Sequence, residues 1–211
     1  MLIEKPPKWF RKLFPGALFK IESEKGEKTV YLTFDDGPIP EVTPEVLDTL
    51  DKYGVKATFF MVGQNVERHP ELLEEILKRG HKVGNHTLHH LKGLFTKTER
   101  YLEDVKLCEE LTNSGLFRPP HGLLRRAQLK SLRQRYKVVM YDLITRDYSK
   151  RLTSRDVLNN VKKHVRDGSI IVFHDSLKSR TKLKEALPAS IEWLKEQGYG
   201  FGLIENDKQY E

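Results

Sequence analysis

"VYLTFDDGP", residues 30–38, begins as a short strand of β-branched and aromatic residues and stops at two adjacent carboxylates followed by Gly37 and Pro38. Two like charges at the end of an apolar strand repel each other, so the sequence must supply something that holds Asp35 and Asp36 together. A divalent cation would neutralise one of the pair. The plainer alternative is that Asp36 caps the following segment or faces water. Neighbouring strand residues point to opposite faces, so both aspartates reach one site only if the chain turns at once. Gly37 permits unusual dihedrals and Pro38 ends strand pairing, which supplies a turn.

Outward from this strand the pattern alternates. Strands are expected over 29–34, 56–63, 81–86, 116–120, 137–144, 168–175 and 199–204, and helices over 43–54, 70–80, 97–114, 125–135, 153–165 and 181–197. Val46, Leu47, Leu50 and Tyr53 give the first helix its apolar stripe, and Pro70 and Gly80 bracket the second. Seven β-α units without a clear linker imply parallel strands joined by right-handed crossovers, either an open doubly wound sheet or a barrel. In both, chemistry gathers at the carboxyl ends of the strands. Those ends carry Asp35-Asp36, Gly63-Gln64-Asn65, Asn85-His86, Arg118 to Gly122, Asp142 to Asp147 and His174-Asp175.

The 211 residues fit one domain, and with 38% hydrophobic and 32% charged residues the chain is globular rather than disordered. One cysteine, Cys108, excludes an intramolecular disulfide. The formal net charge is +7, yet the basic residues are mostly scattered and no recognition motif accompanies them, so nucleic acid is not an expected partner. No stretch approaches the ~20 apolar residues that span a bilayer, and the first 20 residues lack the apolar core of an export signal. A cytoplasmic location follows as the expectation. The aromatics of that segment are interleaved with Lys and Arg, so it is a candidate for peripheral membrane contact. The alternative is that Trp9, Phe10, Leu13 and Phe14 pack on the domain and seal one end.

"GNHTLHH", residues 84–90, holds three histidines. On a helix, His86 could share a face with His90 or with His89. Two imidazoles and one carboxylate of the Asp35-Asp36 pair would make a three-ligand set with an open position for water, the pattern of a catalytic metal site. Zn²⁺, Co²⁺ and Ni²⁺ all suit a mixed His/carboxylate set.

Taken together, "TFDDGP" (33–38), "HTLHH" (86–90), "RPPHG" (118–122), "TRDY" (145–148) and "IIVFHD" (170–175) resemble the five ordered motifs of polysaccharide deacetylases, the NodB-homology or carbohydrate esterase family 4 proteins. The resemblance runs from about residue 29 to 203. It implies an α/β fold with a distorted (β/α)₇ TIM-like barrel over 28–205, an extension over 1–27 and a tail over 206–211. It implies a metal-dependent hydrolase that removes N-acetyl or O-acetyl groups from an acetylated oligo- or polysaccharide. Asp35 would be the base and His174 the acid. Asp36, His86 and His90 would bind the metal, most simply Zn²⁺. Arg118 would hold the base and Asp147 would tune the acid. Pro120, His121, Gly122 and Tyr148 would meet the sugar. Two departures stand out: His121 occupies a place that is often Tyr, and Tyr148 one that is often Trp. Two other readings keep the same barrel: hydrolysis of a small or cyclic amide, and a saccharide-binding protein without catalysis.

Overall fold

The apolar run 30–34 lies at the centre of an all-parallel sheet. The computed structural model describes residues 4–23 and 27–206. The strands are β1 (Lys28–Asp35), β2 (Thr58–Met61), β3 (Lys82–Asn85), β4 (Leu116–Phe117), β5 (Lys137–Val138), β6 (Leu143–Ile144), β7 (Ile170–His174) and β8 (Tyr199–Phe201). The helices are α1 (Lys8–Arg11), α2 (Thr43–Lys52), α3 (Gly63–Arg68), α4 (Pro70–Lys78), α5 (Thr98–Thr112), α6 (Arg126–Arg135), α7 (Ser154–His164) and α8 (Arg180–Glu196). The order in the sheet is β5-β4-β3-β2-β1-β7-β6, with β8 paired to the first half of β1.

Period-two alternation divides each strand between two layers. Val30, Leu32 and Phe34 pack outward with Phe59, Met61, Ile171 and Phe173 against the apolar faces of α2, α7 and α8. The intervening residues face inward. Phe60, Leu116, Val139, Ile170 and Ile204 meet in a separate cluster with Leu18 and Tyr31. Contact among strands from both halves of the sheet requires it to curl, and the architecture is the expected distorted (β/α)₇ barrel rather than an open sheet.

Two expectations are corrected. The strand expected over 137–144 is two short ones, β5 and β6, on opposite edges of the sheet. The intervening segment crosses between those edges, and the carbonyls of Val139 and Met140 accept from the Arg118 guanidinium instead of from a strand. The second concerns the N-terminal segment, which straps this gap. Leu18 exchanges hydrogen bonds with Val138 and Met140 on the β5 side, and Ile144 N–H donates to Glu4 O on the β6 side. Between these points Arg11 pairs with Asp142, which also accepts from Arg166 and Ser169. Phe14 and Phe19 are buried against α5 and α6, with Phe10 packed beside them, whereas Trp9 and Leu13 remain exposed. The expected packing therefore holds for two of the four named side chains. Residues 207–211 of the tail and parts of the extension lie outside the described residues. Among those described, no helix is long and apolar enough to cross a membrane.

Candidate active site

Register places the first two groups. In the β1–β7 ladder Asp35 is directly opposite His174, so their side chains leave the same face of the sheet at its carboxyl edge. One turn of chain further, Asp36 stands in the left-handed region, with φ 82°. That dihedral swings its carboxylate to the side occupied by Asp35. The positive φ thus falls on Asp36 itself and not on Gly37, which is joined to Pro38 by a cis peptide bond. Glycine is required at 37 for space: a Cβ there would lie 1.9 Å from Asp175 Oδ2.

Asp35 is buried, and its Oδ1 accepts from Arg118 Nη1 at 2.7 Å. The same guanidinium nitrogen donates to Thr33 Oγ1 at 2.7 Å, and the plane lies over Phe60, 4.1 Å from the ring centroid. Every face of Arg118 is therefore engaged inside the barrel mouth.

The 86–90 segment is not helical. It is an irregular turn in which Thr87 and His90 both have positive φ. Asn85 anchors it: its Nδ2 donates to Val105 O, and its Oδ1 accepts from Thr87 N–H at 2.8 Å. The turn decides between the two candidate histidines. His89 is drawn to Asp104, which takes its backbone N–H and lies 2.5 Å from Nδ1. His90 turns inward, with Nε2 3.1 Å from Asp36 Oδ1. His86 Nε2 lies 3.8 Å from the same oxygen. Donor atoms of Asp36, His86 and His90 all lie within 4.8 Å of one another.

The chemistry of the three donors fits a divalent cation. His86 Nδ1 is 2.8 Å from Arg118 O, which can only accept, so the hydrogen sits on Nδ1 and the Nε2 lone pair faces Asp36. Burial lowers the His86 pKa to about 4, so the ring is neutral. Burial works against ionisation of Asp36, but its hydrogen bond with His90 and the nearby His174, His86 and His90 hold it well below the usual carboxylate range. Two imidazole nitrogens and one carboxylate at these separations can share an ion at ~2.0–2.2 Å from each.

His174 is prepared differently. Its Nδ1 lies 2.8 Å from Asp147 Oδ1, and its backbone N–H donates to Asp147 Oδ2 at 2.7 Å. Burial opposes the charged imidazole, yet the Asp147 carboxylate, joined by Asp36 and Asp35, outweighs it and the pKa rises to about 9. Tyr148, 4.8 Å away between ring centroids, packs edge-on against His174.

These groups line one cavity of about 210 Å³, together with Pro119, His121, Gly122, Met140, Tyr141, Ile144, Val172 and Lys178. Pro120, expected at the sugar, is buried and does not line it; Pro119 does. His121 has φ 60° and sets its ring against His90.

Sequence reasoning placed Asp175 and Asn65 at strand ends without a role and missed Thr43. Asp175 is fully enclosed, and burial pushes its carboxyl up to about 8 despite the Thr43 hydroxyl, which donates to it at 2.7 Å. Its other oxygen accepts from Gly37 N–H, and Asn65 Nδ2 donates to Asp36 O. Asp175 follows His174 directly, and that adjacency was the available signal.

Comparison with known proteins agrees with this geometry. The family model described as polysaccharide deacetylase matches residues 22–138. A peptidoglycan-N-acetylglucosamine deacetylase of Bacillus cereus is 35% identical over 208 residues, covering 95% of this chain and 97% of that protein. The crystal structure of the Bc1960 peptidoglycan N-acetylglucosamine deacetylase in complex with a hydroxamate-type ligand, 4-naphthalen-1-yl-N-oxidanyl-benzamide, superposes with a TM-score of 0.85 at 31% identity, covering 94% of each chain. BA3943 of Bacillus anthracis, described as a carbohydrate esterase family 4 pseudoenzyme, superposes with a TM-score of 0.78 at 28% identity, over 92% of this chain and 69% of that one.

Proposed function

The chain belongs to the polysaccharide deacetylase family, and from that premise we propose that it is a metal-dependent hydrolase of acetyl groups on an amino-sugar polymer or its precursor, with residues 28–205 as the catalytic domain. The observation that carries this reading is the convergence of Asp36, His86 and His90 donor atoms within 4.8 Å, beside an Asp35–His174 pair set opposite each other in the sheet. Asp36, His86 and His90 would hold the cation, most simply Zn²⁺. When bound, such an ion makes water more acidic and polarises an acetyl carbonyl.

The remaining work falls to the chain's own groups. Arg118 fixes Asp35 through Oδ1, which leaves Oδ2 turned toward His86 Nε2, 4.0 Å away. Asp35 takes a proton from the attacking water as its oxygen bonds to the acetyl carbon. The negative charge that develops on the carbonyl oxygen needs a donor, and the His121 backbone N–H, at the edge of the cavity, fills that role. When the C–N bond breaks, His174 gives its Nε2 proton to the leaving amine. Asp147 keeps that proton in place up to alkaline pH and orients the ring. Met140, Tyr141, Ile144 and Val172 form an apolar wall suited to the acetyl methyl, and Tyr148 offers an aromatic face to the sugar.

Acetate release from a panel of acetylated amino-sugar oligosaccharides, with metal restored and with metal removed by chelation, tests the proposal. Release that depends on metal, and that falls about 10²–10⁴-fold in Asp35→Asn and in His174→Ala while metal stays bound, is the expected result. Saccharide binding without acetate release, or ring opening of a cyclic amide in its place, would contradict it.

A further inference from the structure

Outside the catalytic cavity, exposed apolar and basic side chains gather along α6. Arg126, Lys130 and Arg133 share one face of that helix at three- and four-residue spacing. With Lys12, Leu13, Pro15, Leu129 and Gln134 they line an open groove of about 570 Å³ that contains no acidic side chain among the described residues. Large hydrophobics border the same helix. Trp9 and Leu13 on the strap are 62% and 45% exposed. At the first turn of α6, Arg125 Nε donates to Leu94 O and Gln128 Nε2 to Gly93 O, which fixes the 93–95 turn there. That turn presents Phe95, 80% exposed, and Leu94, 40% exposed. Three of the seven exposed large hydrophobics among the described residues therefore adjoin one helix, and Trp9 stands four residues before Leu13 on the strap.

We propose that the basic face of α6, with the strap and the 93–95 turn beside it, is a docking surface for an anionic lipid bilayer, with Trp9, Leu13, Leu94 and Phe95 entering the interface and Lys12, Arg126 and Lys130 meeting the headgroups. Charge complementarity names the sign of the partner. The apolar side chains choose a bilayer over a soluble polyanion, because only an interface with acyl chains covers a Trp and a Phe that the fold leaves in water. The strap that carries Trp9 and Leu13 is held on both sides of the barrel gap, and the Phe95 turn is pinned to α6, so the surface is built before any lipid arrives. The inference is independent of the deacetylase reading.

The test is sedimentation of the full chain with phosphatidylcholine vesicles, with and without a minority of phosphatidylglycerol. Two double variants accompany it, Arg126→Gln/Lys130→Gln and Trp9→Ser/Phe95→Ser, all four positions being exposed. Circular dichroism verifies their folding. The expected result is binding to anionic vesicles only. Salt near roughly 1 M, where the Debye length is ~3 Å, should abolish it. It should weaken about fivefold for each charge removed. A blue shift of tryptophan fluorescence on binding should be absent from the Trp9 variant. Failure to sediment with anionic vesicles overturns the proposal. So does equal binding to neutral vesicles, or binding untouched by either double variant. Capture by soluble polyglutamate that both vesicle types fail to match, and that survives loss of Trp9 and Phe95, would assign the groove to an anionic polymer instead.

Discussion

His86 and His174 share one cavity, and burial acts on both in the same direction, yet one ring is neutral and the other charged. The difference is the partner of Nδ1. His86 faces the carbonyl of Arg118, which is neutral, and its pKa falls to about 4; His174 faces the carboxylate of Asp147, and its pKa rises to about 9. One ring is left with a lone pair for a cation and the other with a proton to give. Asp147→Asn removes the main charge that opposes burial, leaving those of Asp36 and Asp35, and keeps the shape. The alkaline limb of the kcat/KM profile should then move to lower pH, while the proportion of bound metal is unchanged. A limb that stays in place would remove His174 from the role of acid. At this scale the sequence was readable where one strand carried the message: Asp35, Arg118 and His174 follow apolar runs directly. It was silent on the choice between His89 and His90, because the deciding partner, Asp104, lies fifteen residues downstream on α5.

The turn after β1 is shaped by what it touches on other elements. Asp175 at the end of β7 accepts from Gly37 N–H at 3.1 Å and from Thr43 Oγ1 at 2.7 Å, and the same hydroxyl accepts from Ile39 N–H at 2.8 Å. Asn65 on α3 holds the carbonyl of Asp36. These contacts lock a left-handed residue in place, and Asp36, Thr87, His90 and His121, all with positive φ, cluster around the cavity. Thr43→Val breaks the chain at its middle and strands buried polar atoms, which costs about 1–3 kcal/mol. Urea unfolding of the metal-free protein should show that loss, and isothermal titration should show weaker metal binding, since the turn carries the Asp36 ligand. Unchanged stability together with unchanged metal affinity would contradict this clamp. Short β-branched and aromatic runs alternating with helical patterns made the strands and their carboxyl ends predictable. The division of 137–144 into β5 and β6 was not, because it arises where Arg118, distant in sequence, takes the carbonyls a neighbouring strand would have used.

Across the whole molecule, the mouth of the barrel concentrates groups whose ionisation favours or opposes folding. His174, raised from an ordinary 6.5 to about 9, stabilises fully below pH 6.5, and that contribution is lost as pH rises through 9. Asp175, raised from 3.8 to about 8, acts in the same sense: its contribution is complete at low pH and disappears as pH rises through 8. Together they predict that the metal-free protein loses stability as pH rises, through Asp175 over roughly pH 4–8 and through His174 over roughly pH 6.5–9, measurable as a falling urea midpoint. A flat midpoint over that range would contradict the burial assigned to these two groups. The barrel itself followed from seven β-α units and the resemblance they carry. Packing of Phe10 and Phe14 on the domain was expected, but the strap across the β5 and β6 edges was not, because its hold there is made by backbone hydrogen bonds that no local periodicity announces. All of this architecture converges on three side chains that must share one ion. Titration of metal-free protein with Co²⁺, followed by its visible absorption, measures that directly. One ion per chain with the spectrum of a four- or five-coordinate nitrogen–oxygen site is expected, with binding lost in Asp36→Ala and in His86→Ala and kept in Asp35→Asn. Absence of binding, or binding indifferent to residues 36 and 86, would contradict it.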